Sequence, residues 1–160
     1  MFFWFIGTAI LAVGFVFRDP SFDYRLLIVG SVVPLLDGVF GGARALHSIT
    51  VSIGLLAVLM LATSGRKPIR KMLLGLPIGM FLHLVFDGAW NNTDVFWWPF
   101  TGVGFEDDPF PIIDRGLISF ALEAVGIGLC AWLWRINGLG NESHRVAFRQ
   151  TGVLIAAPQR

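Results

Sequence analysis

Five apolar runs, at about 2–17, 26–40, 45–63, 72–90 and 116–136, take up most of this 160-residue chain. A helix that crosses the hydrocarbon core of a bilayer needs roughly 17–25 residues. The third, fourth and fifth runs meet that length, whereas the first two are short and rely on aromatic or arginine flanks. Backbone in lipid must satisfy its own hydrogen bonds, so runs of this kind imply helices. The expected fold is therefore all-α, a polytopic membrane protein built as a bundle of about five transmembrane helices over 1–137. A polar, flexible cytoplasmic tail is expected over 138–160. Composition agrees with lipid contact, since 14% of the residues are charged where a soluble domain carries about 25%. The apolar start has no basic segment before it, which points to an uncleaved first span rather than a signal peptide.

Lys and Arg set the orientation. With the loop "SGRKPIRK" (64–71) inside, five spans place every Lys and Arg except Arg44 and Arg115 on the cytoplasmic side. That asymmetry predicts an N-terminus outside and a C-terminus in the cytoplasm. It also makes 91–115 an extracytoplasmic loop. Its acidic cluster at Glu106, Asp107, Asp108 and Asp114 suits a solvated turn better than a cation site. Its aromatics, Trp98 among them, suit either the headgroup level or a lid in contact with substrate. No basic stripe with interleaved aromatics points to nucleic acid. Cys130 stands alone and is expected to be a packing residue.

The stretch "FLHLVFDGAW" (81–90) places His83 and Asp87 four residues apart in an apolar run. On a helix they share one face, about 6 Å apart along the axis. An ionisable group in hydrocarbon costs at least ~2.5 kcal/mol, so partners are required. Asp37, His47 and Glu123 fall on other runs yet in the same outer half of the bilayer as His83 and Asp87. Such groups face a bundle interior and mark function. Imidazoles and carboxylates together are the ligand set of a divalent ion, zinc first and manganese at an oxygen-richer site. The alternatives are local: an internal His83–Asp87 hydrogen bond, a helix cap at Asp37, and Glu123 paired with Arg115 or a backbone donor. His144 belongs to the tail and carries no signal.

The segments "PLLD" (34–37), "LHSIT" (46–50), "HLVFD" (83–87) and "WPF" (98–100) resemble, in order and spacing, the YdjM-type family of membrane-bound metal-dependent hydrolases. These are small multi-span bacterial inner-membrane proteins, and the resemblance covers roughly residues 26–100. The chain departs from the family pattern at Leu35, Gly42 and Leu46, where the family carries Asp, His and Thr. The resemblance implies a single ion held by His47, His83 and Asp87, with Asp37 as fourth ligand or as the catalytic general base. Helical spacing, independently of the resemblance, puts Asn91 one turn beyond Asp87 on the same face, where it and Glu123 would support these ligands. Arg44, Arg115 and Trp98 would contact substrate. The implied function is a membrane-embedded hydrolase with its metal site facing the extracytoplasmic side, acting on a membrane lipid or lipid-linked phosphate ester. The alternative is a non-catalytic scaffold or accessory subunit of a membrane complex, with a degenerate metal site. Neither the residues nor the resemblance identifies a protein partner.

Overall fold

The computed structural model of the chain describes residues 1–104 and 116–154. All regular structure among them is helical. Helix α1 (Phe2–Phe17) ends where Arg18 turns into the left-handed conformation at φ 47°. Helix α2 (Tyr24–Val32) starts on Asp23, whose carboxylate accepts from the Arg25 N–H. The second apolar run then departs from the span expected of it. Only nine residues are α-helical, and a 3-10 segment follows over Val33–Phe40. Pro34 is the physical reason, because its missing N–H and its ring cannot continue an α-helix.

The third run is shortened likewise. A 3-10 turn, Ala45–His47, precedes helix α3 (Ile49–Ala62), which starts where the Ser48 hydroxyl accepts from the Thr50 N–H. Helices α4 (Lys67–Leu73) and α5 (Gly75–Asp87) are nearly continuous. Gly88, at φ 64°, stops α5 directly after Asp87, and a 3-10 turn over Ala89–Asn91 leads into the short α6 (Thr93–Phe96). Helix α7 (Leu117–Ile136) follows. The tail expected to be flexible carries helix α8 (Glu142–Thr151), with Leu154 buried beyond it.

Two stretches, Lys67–Asp87 and Leu117–Ile136, are long and apolar enough to cross a membrane by length and composition. Helices α1 and α3 are apolar but shorter, at 16 and 14 residues. Large apolar side chains line the outside, with Leu117 at 85%, Leu61 at 78%, Phe120 at 77% and Phe15 at 70% exposure. A monomer in water rarely exposes apolar surface on this scale.

Helix α5 sits in the centre, packed on α2, α3 and α1, while α7 packs on α1. Glycine permits the closest of these crossings. A Cβ at Gly79 would overlap the Leu27 carbonyl oxygen, and one at Gly30 would overlap that of Leu76, so α2 and α5 meet backbone to backbone. Gly126 does the same for α7 against the Phe3–Trp4 backbone.

The two ends of the bundle differ. At one end Lys71 pairs with Asp19 at 2.8 Å and also bonds Ser21. Arg25 pairs with Asp23 at 2.6 Å and donates to the carbonyls of Arg149 (2.7 Å) and Gln150 (3.2 Å). The Tyr24 N–H donates to the Gly152 carbonyl at 2.8 Å, which ties the end of α8 to the start of α2. The Lys71 hydrogen bond, helped by the Ser21 N–H and hydroxyl, lowers the Asp19 pKa to about 2. The buried histidines lie at the other end.

Candidate metal centre

Three segments converge at that end: the 3-10 segment after α2, the turn before α3, and the last turn of α5. The Asp37 Oδ2 atom accepts from the Arg44 N–H (2.9 Å), the His47 N–H (3.2 Å) and the His47 ring Nδ1 (2.9 Å). One carboxylate oxygen therefore closes the "GVFGGARAL" connection and fixes the imidazole. Because a carboxylate accepts, Nδ1 of His47 carries the proton. Its Nε2 stands 3.9 Å from Asp87 Oδ2.

His83 is fixed in the same manner from α2. Its Nδ1 lies 2.7 Å from the Ser31 carbonyl oxygen, which can only accept, so Nδ1 is again the protonated nitrogen. The lone-pair nitrogen is then Nε2, a buried atom. Two sequence features make this contact available. The α2–α5 crossing at Gly30 and Gly79 brings the backbones together. In the i→i+3 pattern that begins at Val33, the donor to the Ser31 carbonyl would be residue 34, and proline has no N–H. The ring of Phe5 covers His83, with centroids 3.8 Å apart, and the two imidazoles meet edge to face at 5.4 Å.

His47, His83 and Asp87 each offer a ligand atom, and these atoms lie within 4.8 Å of one another. All three side chains are buried, at 1%, 1% and 0% exposure. Two imidazoles and one carboxylate are the protein ligands of many catalytic zinc sites. Donors on a tetrahedral zinc stand about 3.3 Å apart, given bonds of about 2.0–2.1 Å, so the three atoms would have to draw together to hold one ion. The outer hydrogen bonds fit as well, since a metal-bound histidine characteristically donates its other ring N–H to a carboxylate or a backbone carbonyl. His47 does the first and His83 the second.

The other expected site residues take different places. Asp37 is outside the group of three, and its Oδ2 is engaged with three donors behind His47, which suits it to orienting that ring. Asn91 is not one helical turn beyond Asp87, because Gly88 ends the helix; it is exposed in the following 3-10 turn. Glu123 accepts from the N–H groups of Phe3 (3.2 Å) and Trp4 (3.3 Å), capping the start of α1. Arg44 lies beside the site, half-buried, with Nε buried. Trp98 is half-buried, and its carbonyl accepts from the Ser48 hydroxyl at 2.7 Å. Arg115 and the acidic cluster at Glu106–Asp114 lie outside the described residues.

Sequence reasoning missed two contributors. Ser31 acts through its carbonyl, for which residue type gives no signal. Ser48 bonds the carbonyls of Phe96 (3.2 Å) and Trp98, linking the residue after His47 to α6. No protein-family model, curated protein or solved structure matches the chain.

Proposed function

We propose that this chain is a polytopic membrane protein of five spans holding one divalent cation between His47, His83 and Asp87, and that it acts as a metal-dependent hydrolase. One observation carries the reading. Both buried imidazoles commit Nδ1 to a fixed acceptor, Asp37 for His47 and the Ser31 carbonyl for His83, which assigns Nε2 of each to the group shared with Asp87. An internal hydrogen bond alone would not need both rings held in the same tautomer. Zinc is favoured by the donor set.

Three protein ligands leave a fourth position, and a bound zinc there would lower the pKa of a water to ~7. The chain's own residues do the rest. Asp37 holds the His47 ring and raises its basicity. Asp87 supplies the charge that balances a dication in an apolar surrounding. Arg44, whose backbone N–H bonds Asp37 behind His47, suits an anionic substrate group. The apolar exterior and the placement of the site at one end of the bundle support an amphiphilic substrate, a lipid or lipid-linked phosphate ester.

The membrane reading is supported by two helices of spanning length, by the apolar exterior, and by the collection of Arg18, Arg25, Lys71 and Arg135 at the end opposite the histidines. Charge asymmetry supports a cytoplasmic position for that basic end. A second reading has the ion as structural. The near-zero exposure of all three ligands favours it, since structural sites are closed and catalytic ones keep an open position. Proteoliposomes with a phosphate-ester lipid separate the two. Hydrolysis lost with a chelator and restored by zinc supports the enzyme. Full metal loading with no turnover supports the structural ion.

A further inference from the structure

The outward face of α7 carries an open groove of about 520 Å³ lined by Gly128, Ala131, Trp132, Arg135 and Ile136. That is within the range of ligand clefts, roughly 300–1,000 Å³. The groove exists because two of its residues are small, and a Cβ added at Gly128 would meet nothing within 4 Å. Trp132 is half exposed, and Arg135 stands exposed in the last turn, at the basic end of the bundle. No carboxylate among the described residues pairs with Arg135.

An apolar groove with a cation at one end complements a molecule with a long apolar body and an anionic head. We propose that this groove seats an anionic phospholipid, its acyl chain along Gly128 and Ala131 and its phosphate on the Arg135 guanidinium. Guanidinium matches phosphate with two parallel hydrogen bonds. Tryptophan at position 132 suits the headgroup level, where its ring is apolar on one side and wet on the other. The inference rests on the membrane reading above and is independent of the metal centre.

Native mass spectrometry of the full chain, released from detergent after incubation with phosphatidylglycerol or phosphatidylcholine, tests it. The expected result is one retained phosphatidylglycerol per chain, with phosphatidylcholine retained at least tenfold less. Arg135→Gln should reduce phosphatidylglycerol to the phosphatidylcholine level, and Gly128→Leu should reduce both. Both changes point into open space, and unchanged helicity by circular dichroism verifies that the variants fold. Equal retention of the two lipids by the unmodified chain would overturn the proposal, as would an Arg135→Gln variant that still prefers phosphatidylglycerol. A two-chain mass that Gly128→Leu splits would also overturn it, by putting a second copy in the groove. Failure of the membrane reading looks different: the chain would stay in aqueous solution without detergent and would not float with vesicles of either lipid.

Discussion

Each residue around the centre has a distinct task, so single substitutions should have distinct effects. His83→Ala and Asp87→Ala remove ligands and should abolish zinc retention, whereas His144→Ala, whose ring lies beside the Asn137 carbonyl, should leave it unchanged. Asp37→Asn keeps the size of the side chain but weakens its hold on His47, and should cost about 10–100-fold in metal affinity. Competition titration with a chelator measures both effects. Pro34→Ala is the less obvious test. It gives residue 34 an N–H that competes with His83 for the Ser31 carbonyl, and zinc affinity should fall by about tenfold, within the range for lost outer hydrogen bonds. That His47, His83 and Asp87 need partners was legible in the sequence, because imidazole and carboxylate inside apolar runs are costly enough to require them. Their division of labour was not. Spacing cannot distinguish a carboxylate that binds an ion from one that orients the ligand behind it, as with Asp37. Asn91 was misplaced because a glycine at 88 ended the helix that would have aligned it. For Glu123, a cap on α1 depends on a crossing at Gly126 that no local pattern reveals.

At the level of helices, the site depends on how closely α2 and α5 approach. Gly79→Leu would drive a side chain into the Leu27 carbonyl and the Ser31 N–H. Overpacking of this kind typically costs about 1–3 kcal/mol, and it should also pull the Ser31 carbonyl away from His83. A lower melting temperature together with lost zinc binding is the expected outcome, and a stable variant with unchanged affinity would separate the crossing from the site. The loop between α1 and α2 has its own pH signature. The folded state holds the Asp19 pKa below its usual 3.8, at about 2, through Lys71 and Ser21. This contribution to stability is complete above about pH 3.8 and is lost as pH falls towards 2. Asp19→Asn should therefore lower the melting temperature near pH 6 and match the unmodified chain near pH 2. Hydropathy located all five helical runs, since apolar composition survives any local rearrangement. It did not locate the breaks. Pro34 and the Ser48 cap shortened two runs, and those interruptions are what carry Asp37 and His47 to the site.

At the scale of the whole molecule, Arg18, Arg25, Lys71, Arg135 and the docked α8 occupy one end, and the buried His47 and His83 the other. Reporter fusions after Arg135 should report cytoplasm and fusions after Val103 the exterior; the reverse pattern would move the centre to the cytoplasmic face. The tail was legible as polar but not as docked, because its anchor is the pairing of Arg25 with carbonyls more than a hundred residues away. The central claim is that His47, His83 and Asp87 converge to hold one divalent ion. Metal stoichiometry by elemental analysis, on the purified chain reconstituted with zinc, tests it most directly. One zinc per chain, falling to none in His83→Ala with helicity retained, is the predicted result. A fully folded chain that takes up no zinc, manganese or other divalent ion at micromolar concentration would contradict it.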